Sequence, residues 1–271
     1  MRGDLLTGMS ALVMAVLGPM GTGLVAGEGG GAVPVEGEQV EAVRLPDQSG
    51  DFLADLAEGV RPQWRQYFRE RPEGVPRDRV AAALSMGALV ADLSLACEAR
   101  DAQQFRNLLV DLTALETMLG IGEVMGSTRQ ILTSLADGGE WKSLRVEVGS
   151  LVRQHRRHLT AHRDQQMADL GSIGQWVRTW QVAAQFCGNH EGVKEVPLGK
   201  PEWIDVLKGR AAPLAEAEVR VCVAIRRQLV ALDRLWAAAA ADGEARKARM
   251  ERTREALNEL MARSIDPAAK H

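Results

Sequence analysis

The chain has 271 residues, a formal net charge of −3, one tyrosine, four phenylalanines and three cysteines. That charge argues against bulk binding of a polyanion, and an odd number of cysteines leaves one over from any disulfide pairing. Runs of β-branched residues in alternation are missing while the 3.6-residue period recurs, so the expected fold class is all-α.

The N-terminus reads as an export signal. Leu5 to Ala26 carry no charge, and Ala11 to Leu17 form an apolar run that Gly18-Pro19 interrupts. With Arg2 in front and small residues following, residues 1–26 have the layout of a secretory signal peptide, cut near Gly27. The same uncharged stretch reaches the roughly 20 residues that span a bilayer, so an uncleaved inner-membrane anchor is the alternative. The expected location is periplasmic or secreted, with membrane contact only through this segment if it is retained. Residues 27–49 follow as a leader rich in glycine and acid; Gly27 to Glu58 hold eight acidic residues and one basic, a net of −7. So little apolar surface predicts disorder there.

Residues 50–241 are expected to form one helical domain. Asp51 to about Glu70 reads as a helix before a Pro72/Pro76 loop. Val80, Leu84, Met86, Leu89, Val90, Leu93, Leu95 and Cys97 surround the axis of the next one, about 78–97, which makes it the central apolar helix of its bundle. Asp101 caps a helix through Leu119, ending at Gly120-Ile-Gly122, and a shorter one stops at Gly138-Gly139. Glu140 to about Asp169 reads as the longest, and Ile173 to Phe186 follows after Gly171. A loop from His190 to Pro201 leads to a short helix near Trp203–Leu207. Pro213, at a first-turn position, opens a helix striped by Leu214, Val221, Ile225, Leu229, Leu232 and Trp236. Residues 242–271 carry an amphipathic helix with Met250, Leu257 and Leu260 and a tail. The short connections predict an antiparallel helical bundle.

Chemistry-bearing residues are few. On the Glu140–Asp169 stretch the apolar stripe of Trp141, Leu144, Val148, Leu151/Val152 and Leu159 is continued by His155 and His162, with His158 on its flank. His158 and His162, four residues apart, lie one above the other and are spaced to chelate a metal ion. Further ligands would have to come from another helix, Cys187 and His190 being the obvious donors, so a divalent metal is a candidate cofactor and none is the default. Trp141 to Arg163 carry six Lys/Arg against one Glu, a net of +5; intramolecular pairing and an anion site are both open, and nucleic acid is not expected in an exported chain. Asp92 lies within the apolar helix, where a carboxylate must be paired or protonated. Arg106, Asn107 and Arg178 are its candidate partners, forming either a ligand-facing polar site or a buried pair that fixes helix register. Cys97, Cys187 and Cys222 lack the CxxC spacing of redox chemistry, and whether two of them form a disulfide is open. Gly120-Ile-Gly122-Glu-Val-Met-Gly126 has the wrong spacing for a dinucleotide loop and follows a helix. No HExxH, Walker loop or GxSxG elbow occurs. The tryptophans, with Trp176 and Trp180 four apart, are expected in the core.

Gly87 with Asp92 five residues later, the turn Glu98-Ala-Arg-Asp101, Leu119-Gly-Ile-Gly122, and Leu170-Gly with Trp176-Val-Arg178 together resemble a group of exported, all-helical bacterial proteins of unknown function. The resemblance spans about residues 81–184. It implies an exported helical domain and carries no activity with it. The expectation is therefore a non-enzymatic, exported helical bundle acting by binding or structural association with a protein or other envelope partner. The alternative is a metal- or small-ligand-binding bundle using the His155/His158/His162 face; no catalytic residue is assigned.

Overall fold

An aspartate just ahead of an apolar run starts a helix, because its carboxylate accepts an orphan backbone N–H. In the computed structural model, which describes residues 45, 49–70, 76, 78–190, 201–216, 220–241 and 246–264, two aspartates do this. Asp78 Oδ1 accepts from Ala81 N at 2.8 Å, and Asp101 Oδ1 from Gln104 N at 3.0 Å. The described residues form nine α-helices and no strand: α1 (Ser49–Leu56), α2 (Arg79–Glu98), α3 (Ala102–Met118), α4 (Gly126–Asp137), α5 (Trp141–Ala161), α6 (Gln165–Asn189), α7 (Pro201–Glu216), α8 (Arg220–Ala241) and α9 (Arg246–Ser264), with a 3-10 turn at Trp64–Tyr67. The all-helical expectation holds. The expected signal segment 1–26, leader residues 27–44 and 46–48, the loop 191–200, the Cys222 and Trp236 side chains and the tail 265–271 lie outside the described residues. Leu45 and Ser49 are described, and both are buried.

Every residue from Ala81 to Cys97 is buried, as the all-round apolar pattern of α2 requires. Although α2 is long and apolar enough to cross a bilayer, 94% of its apolar window is covered by the rest of the protein. Helices α1, α3, α5 and α6 all pack on it, and α6 carries the outer pair α7 and α9. The α2–α6 contact is made backbone to backbone. A Cβ placed on Gly87 would fall 1.8 Å from the Gly171 carbonyl oxygen, and one on Gly174 would fall 2.1 Å from that of Leu84. Nothing larger than glycine fits at either position.

Four boundaries differ from the sequence reading, each for a physical reason. The expected Asp51–Glu70 helix ends at Leu56, because Gly59 takes a left-handed φ of +80° and Pro62 follows. The expected Glu140–Asp169 helix is two helices. The chain reverses at His162–Asp164, where Arg163 adopts φ +60° and Asp164 N donates to Leu159 O at 2.9 Å. Glycine usually fills that left-handed position, so no sequence signal marked the break. Gly171, read as a stop, lies inside α6, where it makes the contact with α2. Pro213, read as a first-turn residue, sits within α7. Its ring crowds the carbonyl four residues back. That residue is Gly209, with open space around it, while buried Ile204, Leu207, Ala211 and Leu214 hold the helix through the proline.

The thin apolar stripe of α9 is a packing face, with Met250, Leu257 and Leu260 all buried. Trp64, Trp176 and Trp180 are core residues as expected, and Trp176 also stands 5.1 Å (centroid to centroid) from the Trp203 ring of α7.

The glycine crossing is testable by equilibrium unfolding. Gly87→Ala is expected to force α2 and α6 apart and to destabilise by about 3 kcal/mol or more, at the severe end of overpacking. Gly188→Ala, exposed near the end of α6 with nothing within 4 Å, is expected to be neutral or to stabilise by up to about 1 kcal/mol through helix propensity. Equal effects of the two substitutions would contradict the crossing.

Candidate functional site

Beyond the crossing, Asp92 on α2 meets Arg178 on α6. Arg178 Nε donates to Asp92 Oδ1 at 2.7 Å, and Arg69 Nε donates to Oδ2 at 2.6 Å. Arg178, only 2% exposed, spends its remaining nitrogens on Tyr67 O at 2.7 Å and Gln181 Oε1 at 2.5 Å. Gln181 in turn donates to Asn258 Oδ1 on α9 at 2.5 Å. A single polar chain thus ties the segment after the 3-10 turn, α2, α6 and α9. Burial alone would push the Asp92 carboxyl up, but Arg178 first and Arg69 second outweigh it, so its pKa lies below the ordinary value of 3.8.

Of the candidate partners, Arg178 is the one brought to Asp92. Arg106 instead pairs with Asp137 at the surface and hydrogen-bonds Gln103 at 2.7 Å. Asn107 accepts from Gln103 at 3.0 Å and borders a small cleft of about 340 Å³ beside Asp92 and Arg69. Arg69 was not anticipated from sequence. It reaches Asp92 because Phe68, at ψ 135°, leaves the 3-10 turn in extended conformation, a path that no residue pattern announces.

A second buried polar set holds α5. Glu116 of α3 is fully buried, and His155 is 4% exposed. His155 Nε2 donates to Glu116 Oε1 at 2.6 Å, while Arg129 of α4 pairs with the other carboxylate oxygen. Arg129 also donates to Gly122 O at 2.9 Å. The three histidines of α5 therefore have separate surroundings: His155 faces inward to Glu116, His158 is half-buried, and His162 is exposed at the C-cap. Among the described residues, no group of three or more His, Cys, Asp and Glu side chains is placed to hold a metal ion. His190, read as a donor with Cys187, stacks on Phe186 with ring centroids 4.4 Å apart. Cys97 and Cys187 are buried; burial pushes the Cys97 thiol up to about 12.

An opening lies between α5 and α6, with α2 as its floor. This cavity of about 750 Å³ has an apolar base of Met86, Val90, Leu159 and Trp176, and its polar lining includes His155 and Gln175, each 4% exposed. Arg153, Arg156 and Arg157 of α5 and Arg210 of α7 line it, and among the described residues no carboxylate does. Leu45 closes one side. No family model, curated protein or solved structure matches the chain.

Two predictions concern the buried charges. Arg178→Ala, which strips Asp92 of its better-buried partner, is expected to destabilise by about 3–5 kcal/mol in urea at neutral pH. Since the folded-state pKa of Asp92 is depressed, the stability it contributes is full above its ordinary value and is lost as pH falls through the lower folded-state one. Without Arg178, burial acts on Asp92 with Arg69 alone to oppose it, so the gap between wild type and Arg178→Ala should be widest at neutral pH and narrow as acid protonates the stranded carboxylate. A gap that does not narrow in acid would contradict a charged Asp92 held by Arg178. Separately, Glu116→Ala strands His155 and Arg129 and is expected to cost about 3–5 kcal/mol, read by thermal or urea unfolding. A loss below about 1 kcal/mol, typical of an exposed pair, would show that Glu116 is not holding α5.

Proposed function

We propose that this chain is an exported, non-enzymatic helical-bundle protein that acts by binding, with the cavity between α5 and α6 as its binding site. The observation that carries the reading is that cavity. At about 750 Å³, it lies within the roughly 300–1,000 Å³ range of small-molecule sites and combines an apolar base with a few convergent polar groups. Each of the two buried polar sets is internally paired. Asp92 is held by two arginines, and Glu116 by an arginine and a histidine, which makes them register-fixing pairs between helices. Consecutive helices joined by short turns support an antiparallel bundle as the framework. The uncharged segment Leu5–Ala26 and the resemblance over residues 81–184 support export to the periplasm or beyond.

Expression of the full chain in a bacterial host tests both halves of this reading. The soluble periplasmic fraction is expected to hold a protein whose N-terminus begins near Gly27, and native mass spectrometry is expected to show bound mass that acid denaturation releases. Retention in the membrane with Met1 intact would overturn cleavage and release. A periplasmic protein that carries no bound mass, and whose melting is unmoved by a small-molecule set, would overturn the binding role.

A further inference from the structure

We propose that Asp92, helped by the arginines ahead of α2, keeps α2 from lodging in the membrane while the chain is exported. The inference rests on the reading of the chain as exported and adds a device that lets its passage finish. A chain that crosses a membrane as an extended thread offers each segment to the bilayer before its tertiary partners have arrived. Among the described residues, α2 alone is long and apolar enough to span one. Its 20 residues match the roughly 20 that cross a hydrocarbon core, and between Arg79 and Glu98 the one charged residue is Asp92. In the fold 94% of that apolar window is covered, but much of the cover is α6, which follows later in the chain. Arg178, the better-buried partner of Asp92, lies 86 residues further on, so the carboxylate makes the passage without it.

Position gives Asp92 its effect. It lies within about 5 Å of the midpoint of α2 at 1.5 Å per residue, too deep for so short a side chain to reach the interface. On insertion scales an aspartate at the centre of a helix costs about what six leucines or valines gain, and α2 has four leucines and two valines. One carboxylate therefore offsets the aliphatic content of the whole helix. The flanks act in the same sense. Behind a signal peptide, an arrested α2 would leave its N-terminal flank outside and its C-terminal flank in the cytoplasm. Residues 60–79 hold six arginines and residues 99–118 hold two, with no lysine in either. Positive flanks are kept on the cytoplasmic side, so arrest would place the heavier positive charge on the wrong face. Only after α6 has followed does Arg178 close on Asp92 at 2.7 Å. Hydrocarbon at both positions is often as stable in a folded core, but a leucine at position 92 would remove the one charge that opposes arrest.

The full chain with alkaline phosphatase fused to its C-terminus tests this in a bacterial host. That reporter becomes active only where its disulfides form, outside the cytoplasm, and alkaline carbonate extraction reads integration into the membrane. Wild type is expected to give an active reporter. Asp92→Leu is expected to lower reporter activity per molecule about tenfold or more and to leave the chain resistant to carbonate. Asp92→Arg and Arg178→Gln break the same buried pair but keep a charge at position 92, so both are expected to retain wild-type reporter activity however poorly the bundle folds. These two variants separate passage from folding. Wild-type activity in Asp92→Leu, or an equal loss in Arg178→Gln, would overturn the role in passage and leave the export reading standing. An inactive wild-type reporter in the soluble cytoplasm would overturn export and the inference with it, whereas an inactive one integrated in the membrane would overturn the inference alone.

Discussion

The structure depends on one close approach. Where α2 and α6 cross, Gly87 and Gly174 each face a backbone carbonyl of the other helix at a separation that admits no side chain. Such contact trades side-chain interdigitation for direct backbone packing, so it tolerates neither a methyl group nor a rotation of either helix. α2 is buried on all sides by this contact together with α1, α3 and α5. The remaining helices are then placed by what they must cover on this pair.

The buried charges make sense against that constraint. A helix crossing held by glycines alone has little to stop one helix sliding along the other, because backbone surfaces are smooth. Asp92 and Arg178 supply directional bonds just beyond the notch, and Arg69 completes the carboxylate. The Glu116–His155–Arg129 set does the same for α3, α4 and α5. Replacing such pairs by hydrocarbon is often neutral or stabilising; their contribution here is register, since each partner lies on a different element.

Much of this was legible from the chain. Helix class, the central position of α2, the cap at Asp101 and the need of Asp92 for a partner, with Arg178 one of three candidates, follow from periodicity, short-range capping and the rule that a buried carboxylate is paired or protonated. What was illegible involved a residue in a role that its type does not advertise. Gly171 reads as a breaker, yet it is a contact surface, because only the partner helix shows why a side chain is absent. Arg163 closes α5 in a conformation normally given to glycine, so the longest apparent helix hid a reversal. Arg69 reaches Asp92 through an extended segment whose course depends on tertiary contacts. The cavity was invisible for a further reason: it is assembled from four helices, and its apolar base draws on three of them.

His155, read from the sequence as part of a possible metal-binding face, instead shapes the cavity. His155 turns inward to Glu116 and, with buried Leu144, Val148, Leu151 and Leu159, sets the rotation of α5. At that rotation Val152, Arg156 and Thr160 face α6 across open space. On the other side, Gly87 and Gly171, which allow the crossing, also border the cavity. They contribute backbone where any other residue would project a side chain into it. The opening is thus a consequence of the two constraints that hold the fold, a glycine notch on one wall and a buried imidazole–carboxylate pair on the other. A change that loosens either wall should reshape the opening without touching an arginine, which makes the cavity part of the framework rather than a gap left between helices.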